Sequence, residues 1–396
     1  MGRDSSADGE EVEPPYKVVD VFCGGGGLSL GLERPDQLRD IGDLGYGEEV
    51  AEHDGAFETI MAIDAHQPSA ATYRDEFPDA AVFARDIREI EYFTAWEDAD
   101  VVVGGPPCEG FSNLNRTKTA HLSDGRNGLW SDFFRVVEAV DPAVFLIENV
   151  PRFLRAEDGE RAGRHAESLG YTTVVDTLRA HRYGVPQKRK RVFMVGSKLG
   201  TPFLPEAPDG PTRTVRDAIG DLPGTPTERN LHDSRKNVTE KSRERMRHVP
   251  PGGNRTDIPR ELLPDCWIDK EGGTDLFGRL EWDAPSVTIR TEFYKPEKGR
   301  YLHPAEDRSL TVREAARLQT FPDDYGFEGE SRLDIATQIG NAVPPKLASH
   351  LGDALLAHLG GEESVIDRSA RVDGDHLRTA VRVGKRKQDA LGSYTA

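Results

Sequence analysis

The stretch from Val101 to Cys108 limits the possible folds more than any other part of the chain. Three valines run into two glycines and two prolines, and a cysteine follows directly. Consecutive β-branched residues indicate a buried strand, which the prolines end because they fix φ and disfavour a helix. Open α/β proteins bind ligands outside the carboxyl ends of such strands. The stretch therefore predicts a sheet with the Cys108 thiol at its edge, although Cys108 alone fits a small buried core residue equally well.

Short apolar runs alternate with helical segments through the first half of the chain. The sequence predicts strands over Tyr16–Phe22, Glu58–Asp64, Ala81–Ile87, Val101–Val103, Ala143–Ile147, Thr172–Asp176 and Arg191–Gly196. It predicts helices over Gln67–Phe77 and Asp132–Val140, and another that begins near Leu28. Strands that alternate with helices form parallel sheets covered on both faces. We therefore expect a Rossmann-like α/β fold with a mostly parallel, doubly wound sheet.

Glycines or acidic residues stand at the ends of the first three strands. Cys23 and four glycines separate the first strand from its helix, which is the first unit of a nucleotide-binding α/β fold. The glycine spacing matches neither a dinucleotide fingerprint nor a phosphate loop. Asp64 ends the second strand, where such folds hold ribose hydroxyls, and Asp86 lies near the end of the third, in a place suited to an adenine amino group. Each feature alone is weak, since glycine turns and acids after strands are often structural.

Two further groups of charged residues belong to the same predicted sheet edge. Glu148 ends the fifth strand, next in the series to the strand that leads to Cys108. A cationic loop, Tyr183–Arg191, enters the seventh strand. A run of charges is usually a solvated surface, but this run precedes a strand beside the expected site. The edge is therefore predicted to combine a thiol, a carboxylate and arginines.

The second half of the chain has a different organisation. From about Gly200 to Trp282 the strand and helix alternation gives way to loops rich in proline and glycine. A helix over Thr311–Gln319, with Thr311 and Glu314 as a capping pair, and a last helix over Lys346–Leu359 follow. We expect the following division: a disordered tail over 1–15, a catalytic domain over 16–199, a loop-rich domain over 200–285, a return segment over 286–360 that completes the catalytic domain, and a polar flexible tail over 361–396. The acidic stretch Arg34–Asp54 is expected to be a surface insertion.

The composition indicates an intracellular protein without disulfide bonds. Among 396 residues there are three cysteines, Cys23, Cys108 and Cys266, and their wide spacing suits neither a disulfide framework nor a zinc site. No apolar run approaches the roughly 20 residues that cross a bilayer, and the start of the chain lacks the apolar core of a signal peptide. We therefore expect a cytoplasmic protein with no metal site and no membrane partner.

The charge distribution is compatible with a nucleic-acid partner. A net charge of −18 argues against one at first, because proteins that bind phosphate usually have a basic surface. However, the range Arg229–Arg260 contains nine Lys and Arg against four Asp and Glu, a local charge of +5. This excess lies in the predicted loop-rich domain, so that domain is the expected site of phosphate contacts.

Six segments in this order resemble the DNA (cytosine-5)-methyltransferases, over residues 17 to about 358. They are Asp20–Gly27, Gly105–Cys108, Glu148–Val150, Gln187–Arg191, Arg313–Pro322 and Gly340–Pro344. One short match would mean little, but six in the family's order make a specific signal. The resemblance implies a Rossmann-like methyltransferase domain with the loop-rich domain as its target recognition domain. It implies methyl transfer from S-adenosylmethionine to carbon 5 of cytosine in a specific double-stranded DNA sequence.

The resemblance assigns roles around the base. Cys108 is implied to add to carbon 6 of the cytosine, which activates carbon 5 as a nucleophile. Glu148 is implied to hold the ring through N3 and the 4-amino group. Arg189 and Arg191 are implied to grip the base oxygen and a nearby phosphate, in an order that the sequence leaves open. Ser112 is a further candidate for a phosphate contact with the extruded nucleotide, since a stacked base cannot reach such a pocket.

The resemblance also assigns the residues that bind S-adenosylmethionine. The cofactor-binding residues are implied to be Phe22, Gly24, Gly26, Asp64, Asp86, Pro106, Leu129 and Asn341. Asp64 is expected on the ribose and Asp86 on the adenine. One departure from the family lies next to the nucleophile, where Glu109 stands in place of a frequent glutamine. An acid there is expected to raise the pKa of the thiol or to repel a DNA phosphate, unless its side chain points outward.

Several alternatives stay open at the level of sequence. The enzyme is expected to be a monomer that serves either a restriction–modification system, with a separate cognate endonuclease, or acts as a solitary methylase. An RNA (tRNA) cytosine-5 methyltransferase would use the same chemistry. An inactive DNA-binding relative would not need the intact set of Cys108, Glu148 and Arg189. A nicotinamide oxidoreductase rests on the fold alone and explains neither Cys108 nor the arginine loop.

Overall fold

The computed structural model describes most of the chain in a single Rossmann-like arrangement. The described residues are 15–39, 41, 44, 53–91, 96–107, 128–153, 157–222, 238–268, 272–273, 275–366 and 381–385. Three residues singled out above, Cys108, Glu109 and Ser112, lie outside them, as do residues 1–14 of the tail predicted over 1–15.

Seven strands form one sheet. They are β1 (Tyr16–Val21), β2 (Phe57–Ile63), β3 (Ala81–Phe83), β4 (Val101–Gly104), β5 (Val144–Asn149), β6 (Thr172–Arg179) and β7 (Lys190–Ser197). Their order across the sheet is β3-β2-β1-β4-β5-β7-β6. All neighbours are parallel except that β7 runs antiparallel to both β5 and β6. The predicted fold class, a mostly parallel doubly wound sheet, is confirmed.

Ten α-helices accompany the sheet in the described part of the chain. They are α1 (Gly27–Glu33), α2 (Gln67–Glu76), α3 (Leu129–Val140), α4 (Glu157–Ser168), α5 (Val215–Ile219), α6 (Glu240–Arg247), α7 (Asp265–Ile268), α8 (Val312–Leu318), α9 (Arg332–Asn341) and α10 (Pro345–Leu359). The predicted capping pair at the start of α8 is confirmed, because the Thr311 and Glu314 side chains cap each other's main-chain N–H groups. None of the helices in the described ranges is long and apolar enough to cross a membrane.

Alternate strand residues pack on opposite faces of the sheet, as the period of two in a strand requires. On one face, Val19 and Val102 join a core that includes Phe133 of α3. On the other face, Val18 and Val101 join a core that includes residues of α1 and α10. Helix α10 comes from the end of the chain and packs closely on α1. The return segment therefore contributes directly to the core of the N-terminal sheet.

The loop-rich region has a small core of its own. Met246, Val249, Ile258, Phe277 and Leu302 are buried together, apart from the sheet. Helix α5 also falls in the range predicted for this domain, but it packs elsewhere. Its buried Val215 and Ile219 lie in the same core cluster as residues of α8. Within the described residues, this separate core therefore begins after α5.

The structure corrects four predictions of local structure. The third strand ends at Phe83 rather than Ile87, because a 3-10 turn begins at Ile87. The sixth strand continues to Arg179, since it pairs with β7 along its whole length. Parts of the 34–54 insertion are buried rather than exposed, because Ile41 and Leu44 join the core beside α1. In the predicted flexible tail, β8 (Glu362–Ile366) and β9 (Val381–Lys385) pair as antiparallel strands.

Candidate active site

A cavity of about 1030 Å³ lies at the carboxyl ends of the central parallel strands. Strands β1 and β4 are neighbours there while their connections run to opposite sides, so the cavity lies at a topological switch point, where α/β sheets bind ligands. The structure brings nine predicted site residues to its lining: Phe22, Gly24, Asp64, Asp86, Pro106, Leu129, Glu148, Arg191 and Asn341. Two others, Gly26 and Arg189, are described but lie outside the lining.

The glycine turn after β1 forms one wall of the cavity. Phe22 and Gly24 both adopt positive φ angles, 60° and 54°, which turn the chain sharply away from the strand. The main-chain N–H of Gly24 donates to Asp64 Oδ2 over 2.8 Å, and that of His66 donates to Asp64 Oδ1 over 2.7 Å. Burial nevertheless raises the pKa of Asp64. Asp64 therefore holds the turn against the end of β2 while it lines the cavity.

Gly26 has a packing role that the sequence did not reveal. Its φ is +79°, and a Cβ placed there would lie 2.7 Å from both the Phe77 ring and the Tyr325 hydroxyl oxygen. Tyr325 donates from that hydroxyl to the Gly25 carbonyl oxygen over 2.7 Å. The structure therefore gives a different reason for this glycine from the predicted cofactor contact. Gly26 lets the turn close onto the aromatic side chains behind it.

Asp86 lies across the cavity in an ion pair that the sequence did not indicate. The Arg88 guanidinium donates to both carboxylate oxygens of Asp86, and the Arg88 main-chain N–H donates to Oδ1 over 3.0 Å. These hydrogen bonds lower the pKa of Asp86 to about 2. Asp86 is therefore an ionised acceptor at this end of the cavity, and Arg88 lines the cavity beside it.

Glu148 and Arg191 meet because β7 runs antiparallel to β5. The start of β7 therefore lies beside the end of β5, and Arg191 Nε is 2.8 Å from Glu148 Oε1. No hydrogen bond of ordinary geometry reaches this oxygen from any residue that the structure describes. The opposite charges attract, and this pair holds the Glu148 carboxyl group at the cavity wall. Gly105 allows this approach, since a Cβ there would lie 3.2 Å from Glu148 Oε2.

Asn149 connects the end of β5 to the loop that leads to Cys108. Its Nδ2 donates to the Pro106 carbonyl oxygen over 3.0 Å, and its Oδ1 accepts from the main-chain N–H of Val150 over 2.8 Å. Pro106 and Pro107 both line the cavity. The described chain therefore reaches the cavity at Pro107, one residue before Cys108.

The structure does not bring Arg189 to the cavity surface. The residue is 1% exposed, and its guanidinium donates to the main-chain carbonyl oxygens of Ile289, Gly340 and Asn341. The prediction of a base or phosphate contact therefore needs correction, because the Nη donors of Arg189 are already used inside the protein. The two arginines of the Gln187–Arg191 loop point to different places. Arg191 lines the cavity, while Arg189 is buried behind it.

Asp20 is a cavity residue that the sequence analysis did not select. It is 1% exposed, it lines the cavity floor, and its Oδ2 accepts a hydrogen bond of 2.7 Å from Ser29 Oγ. Burial raises its pKa to about 8. Burial likewise raises the pKa of the neighbouring Cys23 thiol, which lines the same wall. The acidic position inside the first strand of the resemblance was the available signal for Asp20.

The cavity suits a nucleoside with a charged tail, such as S-adenosylmethionine. Its volume of about 1030 Å³ lies at the upper limit of ligand pockets, which is roughly 1,000 Å³. Apolar surfaces come from Phe22 and Leu129, and carboxylates come from Asp64 and Asp86. Gln338 Oε1 is also buried at this wall, with no hydrogen-bond partner among the described residues, so an acceptor is available to a ligand. The residues present therefore fit the cofactor that the resemblance implies.

Comparisons with known proteins agree on one family. The model of the C-5 cytosine-specific DNA methylase family matches residues 16–357. The chain is 33% identical over 354 residues to the Type II methyltransferase M1.HphI of Haemophilus parahaemolyticus, covering 85% of this chain and 86% of that protein. It is 30% identical over 449 residues to the Type II methyltransferase M.AgeI of Thalassovita gelatinovora, covering 86% of this chain and 99% of that protein.

Solved structures show the same fold at lower sequence identity. A putative DNA modification methyltransferase from an E. coli prophage superposes with a TM-score of 0.62 at 24% identity, covering 87% of this chain and 99% of that chain. The S. pombe Dnmt2 methyltransferase superposes with a TM-score of 0.56 at 16% identity, with the same coverage. The family model, the sequence relatives and the cavity at the switch point together show that this chain is a DNA cytosine-5 methyltransferase of the C-5 cytosine-specific DNA methylase family.

Proposed function

We propose that the enzyme methylates carbon 5 of a cytosine that has been flipped out of a specific duplex DNA sequence, through a covalent bond between Cys108 and carbon 6. The observation that carries this proposal is the pair formed by Glu148 and Arg191 at the cavity wall. A carboxylate oxygen without a hydrogen bond of ordinary geometry and a guanidinium lie 2.8 Å apart there. The loop that Asn149 holds leads from the same wall to Cys108. These groups are what the activation of a cytosine ring requires.

The chemistry divides between the thiol and the carboxyl group. Carbon 5 of cytosine is a poor nucleophile until the Cys108 thiolate adds to carbon 6. This addition places negative charge on the ring. A proton that Glu148 shares with N3 stabilises that charge. Arg191 places a positive charge beside that carboxyl group and near the base oxygen, which lowers the energy of the charged intermediate. With S-adenosylmethionine bound, carbon 5 would take its methyl group, the sulfur–methyl bond would break and S-adenosylhomocysteine would be the leaving product. Loss of the proton from carbon 5 would then break the bond between Cys108 and carbon 6, which releases the thiolate and regenerates the enzyme.

The opposite end of the cavity is proposed to hold S-adenosylmethionine. The cofactor supplies an electrophilic methyl group on sulfur. Asp64 is proposed to accept hydrogen bonds from the ribose and Asp86 from the adenine amino group, while Phe22, Pro106 and Leu129 supply apolar contacts. Gly24 leaves the turn without a side chain where the ligand approaches, since a Cβ there would meet nothing within 4 Å. Asn341 closes the wall formed by the end of α9.

DNA recognition is proposed to rest on residues 200–285, with residues 16–199 and 286–360 as the catalytic domain. Helix α6 carries Arg243 and Arg247 in the part of the loop-rich region with its own small core, and both are paired with Glu240 or Glu244 of the same helix. We propose that these exposed guanidinium groups exchange their carboxylate partners for DNA phosphates, contacts that position a duplex without specifying its sequence. Ser112 is proposed as a phosphate contact close to the flipped nucleotide. The relatives named as Type II methyltransferases support a role in restriction–modification. The enzyme is proposed to act as a monomer, apart from any cognate endonuclease.

Trapping on modified DNA tests the covalent mechanism. DNA with 5-fluorocytosine at target sites blocks loss of the carbon 5 substituent, so a thiol adduct persists. We expect a cofactor-dependent adduct that survives denaturation with the wild type and with Cys266→Ser, and none with Cys108→Ser. Bisulfite sequencing of DNA from cells that express the chain identifies the target sequence. Methylation by the wild type without an adduct excludes the Cys108 role.

The same preparation separates DNA from RNA substrates. Labelled methyl transfer is measured on genomic duplex DNA and on total tRNA under identical conditions. We expect incorporation into DNA. Incorporation into tRNA but not into DNA would replace the proposed substrate, and binding of DNA without methylation by the wild type would indicate an inactive relative.

A further inference from the structure

The buried Arg189 completes the C-terminal end of helix α9. The last carbonyl groups of a helix have no partner inside it and must find donors elsewhere. Arg189 Nη1 donates to the Gly340 carbonyl oxygen over 3.0 Å, and Nη2 donates to that of Asn341 over 3.1 Å. A cation at this end also compensates the negative end of the helix dipole. Arg189 therefore acts as the cap of α9.

This helix end is part of the cavity wall. Asn341, Ala342 and Val343 all line the cavity, at the point where α9 ends. The cavity shape on this side therefore depends on where the last turn of α9 lies. The donors that fix this turn come from a loop of the N-terminal half of the chain, far away in sequence.

The same guanidinium holds a second segment. Arg189 Nη1 also donates to the Ile289 carbonyl oxygen over 3.2 Å. Ile289 belongs to residues 286–289, through which the chain leaves the loop-rich region. We call these residues the return strand, although only Ser286 among them forms a β-bridge. The return strand lies along the arginine loop, since Ser286 pairs with Gln187 and the Lys188 N–H donates to the Ser286 carbonyl oxygen over 2.8 Å.

Two glutamines close these contacts into a ring of buried hydrogen bonds. Gln187 Oε1 accepts from the Ile289 N–H over 2.9 Å, and Gln187 Nε2 donates to Gln319 Oε1 over 2.8 Å. Gln319 Nε2 in turn donates to the Ile339 carbonyl oxygen of α9. Gln187 and Gln319 are both fully buried. A ring in which each member satisfies the next fixes the relative positions of its segments more firmly than separate contacts would.

We propose that Arg189 is a positioning residue that sets the cofactor side of the cavity and ties it to the return strand of the recognition region. It acts through the end of α9 rather than by touching the base or the DNA. Because the return strand leads directly from the loop-rich region, the same guanidinium connects that region to the cofactor wall. This inference rests on the proposed binding of S-adenosylmethionine in the cavity.

The chemistry of the side chain explains why an arginine stands here. Its planar guanidinium reaches carbonyl groups on two sides at once, whereas a lysine ammonium is a point charge at the end of a flexible stem. A lysine at this position would reach either the end of α9 or Ile289, and the carbonyl groups of the other segment would lose their donor. Because Arg189→Lys keeps the positive charge, this substitution tests the geometry of the donors rather than the charge.

Cofactor binding without DNA tests the proposal. The dissociation constant of S-adenosylhomocysteine is measured by isothermal titration calorimetry with the full chain and with Arg189→Lys. We expect a rise of about tenfold or more, the size expected when a charged donor loses a buried hydrogen bond. Steady-state methylation should show a KM for S-adenosylmethionine that rises more than kcat falls.

Arg279→Lys is the matched control. Arg279 is 4% exposed and also donates to main-chain carbonyl oxygens, those of Val249, His303 and Met246, but it lies in the loop-rich region. It should lower the melting temperature while leaving the dissociation constant in the absence of DNA within about twofold of the wild type, since general destabilisation does not reshape the cofactor wall. An unchanged dissociation constant for a folded Arg189→Lys protein overturns the proposal.

If Arg189→Lys does not fold, a second variant can be used to test the proposal. Gln319→Leu removes the donor to Ile339 but leaves Arg189 in place, and it should weaken cofactor binding in the same direction by a smaller factor. Equal binding by a folded Gln319→Leu protein would then overturn the proposal. Binding of S-adenosylhomocysteine by the wild type distinguishes the two proposals. If the wild type does not bind it, the proposal that the cavity holds the cofactor is wrong. If the wild type binds it and the variants bind it equally well, only the positioning role of Arg189 is wrong.

Discussion

Arg191 Nε lies 2.8 Å from Glu148 Oε1, across the antiparallel pair of strands β5 and β7. Both side chains are largely shielded, with exposures of 17% and 11%. In this environment each charge depends on the other, because an isolated buried charge is costly. The pair holds the Glu148 carboxyl group at the cavity wall before any base arrives. This arrangement avoids reorganisation at the moment of reaction.

Glu148→Gln should nearly abolish methylation without unfolding the protein. The amide keeps the shape of the side chain but cannot hold or share the proton at N3, and such proton transfer typically contributes about 10²–10⁴-fold to a rate. The rate is measured with a labelled methyl donor under single-turnover conditions. The control is Glu138→Gln, an exposed carboxylate on α3, which should retain the wild-type rate. Activity of Glu148→Gln within tenfold of the wild type would falsify the proposed role.

Asn149→Asp should slow the chemical step while leaving cofactor binding nearly intact. The change replaces the Nδ2 donor by a carboxylate oxygen that faces the Pro106 carbonyl oxygen. A lost hydrogen bond of this kind costs about 1–3 kcal/mol, which corresponds to roughly 10- to 100-fold in rate if the loop moves away from the base. Single-turnover rates and calorimetric binding of S-adenosylhomocysteine measure the two effects separately. A loss of cofactor affinity equal to the loss of rate would argue against a role in the loop alone.

Residue types at strand ends could be predicted from the sequence, but the directions of side chains could not. Asp64, Asp86 and Glu148 line one cavity because parallel strands end at one edge, which the pattern of strands already indicates. Arg189 and Arg191 look equivalent in the sequence. The structure separates them, because partners for Arg189 come from residues more than 100 positions later in the chain. No local pattern predicts such contacts.

The sequence likewise indicates where glycines are needed but not what each glycine contacts. Gly24 and Gly26 belong to one turn and both have positive φ, yet a Cβ would meet open space at the first and two aromatic side chains at the second. The local need for glycine was readable from the strand, turn and helix pattern. The reason for Gly26 depends on Phe77, which directly follows α2, and on Tyr325 of the return segment. Tertiary packing, which a single sequence does not display, decides between ligand contact and core contact.

Gly26→Ala should destabilise the protein more than Gly24→Ala. Both changes put a side chain on a left-handed backbone, at a cost of about 1–2 kcal/mol. Only Gly26→Ala also forces Phe77 and Tyr325 aside, since its Cβ would lie 2.7 Å from each, and overpacking adds about 1–3 kcal/mol. Urea unfolding of the two variants measures the difference. Equal free energies of unfolding would show that Phe77 and Tyr325 can move aside without lowering the stability of the folded protein.

Asp20→Asn should flatten the pH dependence of stability between about pH 4 and pH 8. Burial raises the pKa of Asp20 from 3.8 to about 8, so in this window the unfolded chain releases a proton that the folded protein keeps. Stability from this group is therefore full at acidic pH and is lost as the pH rises toward 8. Asparagine cannot titrate and removes the contribution of this group to the slope. The free energy of unfolding is measured by urea across this range, with Asp283→Asn, a surface carboxylate paired with Arg216, as the control that should keep the slope. A slope in Asp20→Asn equal to that of the wild type would mean that other groups produce it.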